Sequence, residues 1–245
     1  MSTETVIGLV VPNATDEVSP EGRQLYPDVR FRARGVGVQG LSAEGFQAAW
    51  DAIVPAAEQL AAEGVSAIML MGTSLTFHRG YAAHERLVED VGSRTGLPVS
   101  TMSRALVDGL LEVGAKRVGV CTAYADEVND RLREFLVASG IDVLALRGFG
   151  LVGFGAPGLK SREDIMVLVD DVLDEAGAAD GLVISCGGLR TLELIAPVEA
   201  KHNLPVVSST PAAYWAAVRL AGLQASVPGF GRLLSPRTQV VTAQT

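Results

Sequence analysis

Gly181-Leu182-Val183-Ile184-Ser185-Cys186-Gly187-Gly188-Leu189 joins an aliphatic run to a polar, glycine-bearing turn. Its aliphatic run, Leu182 to Ile184, predicts a buried strand, and Gly187-Gly188 predicts a tight turn directly after it. A helix is expected to open at Thr191. This order puts the Cys186 thiol at the carboxyl end of a strand, against backbone N–H groups that a helix start leaves unpaired. A cysteine so placed suits a low-pKa nucleophile or an acid–base catalyst. A free cysteine is otherwise a small buried hydrophobe, and the rest of the chain has to decide between the two.

Working outward, the same pattern recurs. Residues 65–71 read as a strand ending in Gly72-Thr73-Ser74-Leu75, followed by a helix over 82–95 and then by Gly96-Leu97-Pro98-Val99-Ser100-Thr101 and another helix over 102–113. In the second half, the Cys186 strand is followed by a helix to about residue 202, by Leu204-Pro205-Val206-Val207-Ser208-Ser209-Thr210 and by a helix from Pro211 to Ala221. Further strands are expected at 5–11, 118–121 and 141–146, and further helices at 43–63, 127–139 and 161–176. Residues 15–40 read as a long irregular loop, which in a compact domain is usually functional. Residues 148–158 read as a glycine-rich, mobile, apolar pocket loop, because they lack the strand-to-helix setting of a dinucleotide fingerprint and the Lys-Ser/Thr of a P-loop.

Alternating strands and helices predict an α/β fold with parallel sheets. The duplication predicts two pseudo-symmetric lobes within one unit spanning 1–245, each a mostly parallel β-sheet flanked by helices. We place the lobes at about 1–100 plus 210–245 and at 101–209. The active site is expected in the cleft where the strand carboxyl ends of the two lobes face each other.

Composition narrows the function. Twenty basic residues against 28 acidic ones give a formal charge of −8, and no basic patch with interleaved aromatics occurs, so nucleic acid is not an expected partner. Met1-Ser2-Thr3-Glu4 lacks the features of a signal peptide, and no apolar run has the length of a membrane span. The chain has 2 cysteines and 3 histidines, Cys121 and Cys186 with His78, His84 and His202, in no metal-ligand or disulfide pattern. A reduced, cytoplasmic protein without a structural metal is expected, as a monomer or a small homo-oligomer.

Three strand ends carry polar residues: Thr73-Ser74, Thr122-Ala123-Tyr124 and Ser185-Cys186-Gly187. Hydroxyls beside helix-start N–H groups, with no Lys or Arg in any of these turns, make a neutral hole for a carboxylate or for the enediolate it becomes. Ser and Thr before helices are also ordinary caps; it is the three turns together with a facing cysteine that point to a site.

Met71-Gly72-Thr73-Ser74-Leu75, Ala123-Tyr124 and Ser185-Cys186-Gly187-Gly188-Leu189, with Leu204 to Ser209, resemble the bacterial arylmalonate decarboxylase family. The likeness extends to Leu25-Tyr26-Pro27-Asp28, to 118–129 and to 214–222, and so covers nearly the whole chain. The wider group is the aspartate/glutamate racemase superfamily, with hydantoin racemase and maleate isomerase as cousins. The resemblance implies cofactor-free decarboxylation of a small dicarboxylate, a disubstituted malonate. One carboxylate is held in a dioxyanion hole by the hydroxyls of Thr73, Ser74 and Tyr124 and by the N–H groups of Ser74, Cys186 and Gly187. The other lies in an apolar pocket at or near Pro12, Val38, Leu41, Phe46, Gly153, Phe154 and Pro157, where charge is poorly solvated and CO2 leaves. Cys186 then protonates one face of the carbanion.

The resemblance also implies that racemases carry a second cysteine where this chain has Gly72. One thiol adds a proton to one face only, which favours the decarboxylase over racemase or maleate isomerase. Cys121 is expected to pack in the core, and His78 to be a surface or supporting residue. Two other readings stand beside this one: a different one-thiol isomerase or racemase-like enzyme on small carboxylates of maleate, hydantoin or amino-acid type, and a carboxylate-binding module without turnover.

Overall fold

Two parallel four-stranded sheets organise the chain, in a computed structural model that describes residues 5–236. Met1 to Glu4, on which the reading of the N-terminus rests, and residues 237–245 lie outside the described residues. The first half runs β1 (Val6–Val11), α1 (Pro20–Leu25), β2 (Arg30–Gly35), α2 (Ala43–Ala62), β3 (Ala67–Leu70), α3 (Thr73–Phe77), α4 (Tyr81–Thr95), β4 (Val99–Thr101) and α5 (Met102–Glu112). The second half runs β5 (Arg117–Tyr124), α6 (Asp126–Ala138), β6 (Asp142–Leu151), a 3-10 turn over Ala156–Leu159, α7 (Arg162–Ala176), β7 (Gly181–Ser185), α8 (Leu192–His202), β8 (Val206–Ser208) and α9 (Ser209–Leu220).

The sheets have orders β2-β1-β3-β4 and β6-β5-β7-β8, and every pairing is parallel. The same order in both halves is the duplication expected from the repeat. Strands β3 and β7 are buried along their whole length, as their unbroken aliphatic runs require of strands covered on both faces. Helix α2 starts where Ser42 accepts a hydrogen bond from the Gly45 N–H (3.2 Å). It buries Phe46, Ala49, Ile53, Ala57 and Leu60, with Pro55 inside the helix on its exposed side. Ser161 and Asp164 close a capping box on α7. Among the described residues no helix is long and apolar enough to cross a membrane.

Residues 15–40 are not the irregular loop expected from the sequence. They hold α1 and β2. Strand β2 reads Arg-Phe-Arg-Ala-Arg-Gly and buries only Ala33, because it is an edge strand, along which Arg32 pairs with Glu63 and Arg34 with Asp16 and Glu63. A strand of that kind has no core-facing apolar stripe to read. Residues 148–158 are likewise only partly a loop: Gly148 to Leu151 continue β6. Gly148 is required there, since a Cβ would stand 2.3 Å from the Tyr124 carbonyl oxygen and 2.6 Å from Thr122 Oγ1. Strand β5 similarly runs on through Thr122–Tyr124 instead of ending at Cys121.

Helices α5 and α9 pack on each other, and α9 also reaches strands of both sheets and α1. The α1–α9 contact is close: a Cβ on Gly22 would lie 2.1 Å from Tyr214 Cζ. Gly22→Ala is therefore expected to destabilise the fold by about 1–3 kcal/mol, read as a lower denaturant midpoint at unchanged slope. A midpoint equal to wild type would show that α1 is not seated on Tyr214.

Candidate active site

The duplication sets the geometry of the site. In the first sheet Leu70 pairs with Thr101; in the second Ile184 pairs with Ser208. Gly72 and Cys186 each lie two residues beyond these pairs and so occupy equivalent places. Both have left-handed backbone, with φ 97° at Gly72 and 128° at Cys186. That conformation is ordinary for glycine and strained for cysteine. The two strand ends open onto one cavity of about 300 Å³, shared by Gly72, Thr73 and Ser74 from the first half and Tyr124, Cys186, Gly187 and Gly188 from the second.

Of the apolar residues expected around it, Pro12, Val38, Leu41, Phe46 and Phe154 line this cavity. Gly153 and Pro157 are not among its lining residues. Pro157 is buried behind the turn, its ring carbon 3.0 Å from where a Cβ on Gly188 would stand; Gly155 and Gly158 reach the cavity in their place. Further lining comes from Asn13, from Glu17, Val18, Ser19 and Pro20 in the stretch read as a loop, and from Tyr214. Tyr214 accepts a hydrogen bond from Ser19 Oγ (3.3 Å).

Beneath the cavity lies a network of buried hydroxyls. Thr73 Oγ1 donates to Ser209 Oγ (2.9 Å), and the Cys186 N–H donates to the same oxygen (3.3 Å). Ser103 Oγ donates to the Thr73 carbonyl (2.9 Å) and Thr210 Oγ1 to the Gly187 carbonyl (3.3 Å). These last two bonds are pseudo-symmetric, one from the start of α5 and one from the start of α9. The Tyr124 hydroxyl lies 3.4 Å from Ser185 Oγ and also meets the hydroxyls of Ser74 and Thr73. The Cys186 N–H, expected to face a carboxylate, is thus engaged by Ser209. The first bond within α3 runs from the Thr76 N–H to the Gly72 carbonyl (3.2 Å), which leaves the Ser74 N–H outside the helix ladder. Ser185 stands in the polar Ser185-Cys186-Gly187 turn expected at the site, whereas Ser209 escapes a reading of the sequence as a site residue. For Ser209 a signal exists, since it follows Ser208 in the repeat position that Met102 holds after the helix cap Thr101.

The Cys186 thiol is buried, and its pKa is pushed up to about 11 by burial, offset in part by the Gly188 N–H, the Tyr124 hydroxyl and the Leu189 N–H facing it. This corrects the low-pKa alternative: at neutral pH the side chain is a thiol that holds a proton to give. The N–H groups of the α8 start do not serve it; those of Thr191 and Leu192 go to Glu21. Burial, and next the nearby Cys186, likewise hold the Tyr124 phenol well above its ordinary range, so it stays a hydrogen-bond donor. Cys121 is fully buried, its Sγ 3.6 Å from the Leu168 carbonyl oxygen on α7. His78 stacks against Phe46 and Trp50 and contacts the Leu75 carbonyl through Nδ1 (2.9 Å). Burial first of all lowers its pKa, and it does not line the cavity. Among the described residues no group of three His, Cys, Asp or Glu side chains gathers to hold a metal ion.

A family model described as arylmalonate decarboxylase matches residues 7–234. The arylmalonate decarboxylase of Bordetella bronchiseptica is 43% identical over 236 residues, which cover 95% of this chain and 97% of that protein. A maleate isomerase of Nocardia farcinica is 26% identical, with 97% of this chain and 98% of that protein covered. Among solved structures, a liganded double mutant of arylmalonate decarboxylase, glycine to cysteine and cysteine to serine, superposes with a TM-score of 0.91. It is 40% identical, over 94% of this chain and 98% of that one. Two pseudo-symmetric parallel sheets, one cavity at their facing strand ends and these likenesses agree: the chain belongs to the arylmalonate decarboxylase family.

Proposed function

We propose that the protein is a carboxy-lyase that decarboxylates α-aryl or α-vinyl, α-substituted malonates without a cofactor and protonates the product from one face through Cys186. The observation that carries this is the pairing of Cys186, the one thiol that lines the cavity among the described residues, with a glycine, Gly72, at the equivalent place on the other lobe.

One carboxylate of the malonate dianion takes hydrogen bonds from the hydroxyls of Ser74 and Tyr124 and the N–H groups of Ser74 and Gly187. Thr73 joins by turning its hydroxyl away from Ser209. Such donors are fixed in place before the reaction and strengthen as negative charge builds on the retained carboxylate. The other carboxylate sits against Pro12, Val38, Leu41, Phe46 and Phe154, which offer it no hydrogen bond. Its C–C bond breaks and CO2 leaves; the bonding pair stays on the α-carbon and spreads into the carboxylate as an enediolate dianion. Cys186 passes its proton to that carbon, giving the α-aryl carboxylate and a thiolate, which solvent reprotonates. The two free cysteines fit a reducing, cytoplasmic setting.

The test is CO2 release from phenylmalonate and 2-methyl-2-phenylmalonate, which the protein is expected to turn over. Well-folded protein inert on both compounds would transfer the reading to another small carboxylate. The proton donor also predicts a pH dependence. The active form is the protonated thiol, present below its pKa and lost as pH rises through it. The alkaline limb of kcat is therefore expected near or above pH 11, with no loss from this group between pH 6 and 9. A limb set by Cys186 in the neutral range would contradict proton donation from a buried thiol.

A further inference from the structure

The turn that carries Cys186 has an unfavourable backbone, with φ 128° at the cysteine, and such a conformation persists only where its surroundings over-determine it. At its start the turn is held by α9: Ser209 Oγ accepts the Cys186 N–H and Thr210 Oγ1 donates to the Gly187 carbonyl. At its far end the hold comes from the other half of the chain. One oxygen of the Glu21 carboxylate, Oε1, accepts the N–H groups of Thr191 (3.0 Å) and Leu192 (3.1 Å). These are free donors of the α8 start, and Thr191 makes no side-chain cap of its own.

Glu21 is itself a fixed post. Its helix α1 is capped by Ser19, which also bonds Tyr214. Gly22 lies directly under the Tyr214 ring, and the hydroxyl of Tyr26, the residue after α1, donates to the Ala225 carbonyl (2.7 Å). Burial raises the pKa of the Glu21 carboxyl, and the N–H groups of Leu192 and Thr191 and the Arg190 charge act against that rise. Ser19 and Pro20, just before Glu21, line the cavity, whereas Glu21 does not. The residue that ties down the cysteine turn therefore belongs to the same short element that walls the site.

We propose that Glu21 is a positioning residue for Cys186: by holding the α8 start it fixes the far end of the strained turn and aims the thiol at the α-carbon. The proposal rests on the decarboxylase reading for its kinetics, but its geometry stands without it. It predicts a split. The carboxylate-binding groups of Thr73, Ser74 and Tyr124 come from other elements, so loss of Glu21 leaves substrate binding and weakens proton delivery.

The experiment compares wild type, Glu21→Ala and Glu21→Gln for phenylmalonate turnover and for alkylation of Cys186 by iodoacetamide, with Cys186→Ala as the blank for Cys121. In Glu21→Ala, kcat is expected to fall by about tenfold or more, the order of effect a small misplacement of a reacting group produces, with KM within about twofold. Alkylation is expected to quicken several-fold as the turn opens more often. Glu21→Gln, whose amide oxygen still accepts both N–H groups, is expected to recover most of kcat and the slow alkylation. Should Glu21→Ala fail to fold, Glu21→Asp, which is one methylene short of both N–H groups, is read in the same way. Unchanged kcat and alkylation in a folded Glu21→Ala would overturn the proposal, as would a loss that Glu21→Gln does not recover. Wild type without CO2 release counts against the decarboxylase reading alone, and the alkylation arm then still decides the role of Glu21.

Discussion

Cys186→Ala is expected to lose kcat by about a hundred- to ten-thousand-fold, the contribution of a positioned proton donor, while still binding a product-like carboxylate such as phenylacetate with Kd within about threefold. In the proposed mechanism the sulfur is the group that faces the α-carbon, and burial keeps it protonated at neutral pH. Tyr124 also keeps its proton, but its hydroxyl is engaged with Ser185, Ser74 and Thr73. The fold should tolerate the change, because Cys186 is buried but small and its N–H bond to Ser209 is a backbone bond. Single-turnover CO2 release and calorimetric binding of phenylacetate to the same preparation separate the two effects. Full turnover in the variant would remove Cys186 from the mechanism; lost binding would make it a structural residue.

The second large effect is a gain. Gly72→Cys is expected to make the protein racemise 2-phenylpropionate, a reaction for which wild type has one thiol and one face. Gly72 and Cys186 are equivalent in sheet register and in backbone, so a second sulfur at 72 faces the α-carbon from the other side. Space allows it at some cost: a Cβ at 72 meets Leu75 Cβ at 3.3 Å and Pro12 Cβ at 3.4 Å, and the positive φ adds strain of about 1–3 kcal/mol. A lower melting temperature is therefore expected alongside the new activity. Loss of optical rotation from a single enantiomer is the readout. A folded Gly72→Cys protein with no racemisation would show that the two strand ends do not flank one carbon.

Much of this was legible in the sequence because continuous aliphatic runs such as Leu182-Val183-Ile184, buried on both sides, can hardly be anything but central parallel strands. The Gly72 and Cys186 turns were legible for a related reason: a polar turn directly after such a strand recurs at the same place in the repeat. What stayed hidden depends on the third dimension. Strand β2 shows the core only Ala33, and α1 is six residues long, too short to display a helical period. Yet α1 and the residues just before it supply part of the cavity lining and the Glu21 tether. Ser209 is unremarkable in one dimension; its importance comes from Thr73 Oγ1 and the Cys186 N–H, one from each half of the chain, meeting at its hydroxyl oxygen. Gly148, read as loop, lies in β6, and it is glycine because the Tyr124 carbonyl and the Thr122 and Asn129 side chains leave no room for a Cβ.

One thiol that delivers one proton to one face of an enediolate leaves its mark on the product. Turnover of 2-methyl-2-phenylmalonate in D2O, followed by chiral separation and mass analysis of the 2-phenylpropionate formed, is expected to give a single enantiomer carrying one deuterium at the α-carbon. Racemic product from a well-folded, active protein would contradict it, because a proton that arrives on both faces does not come from Cys186 alone.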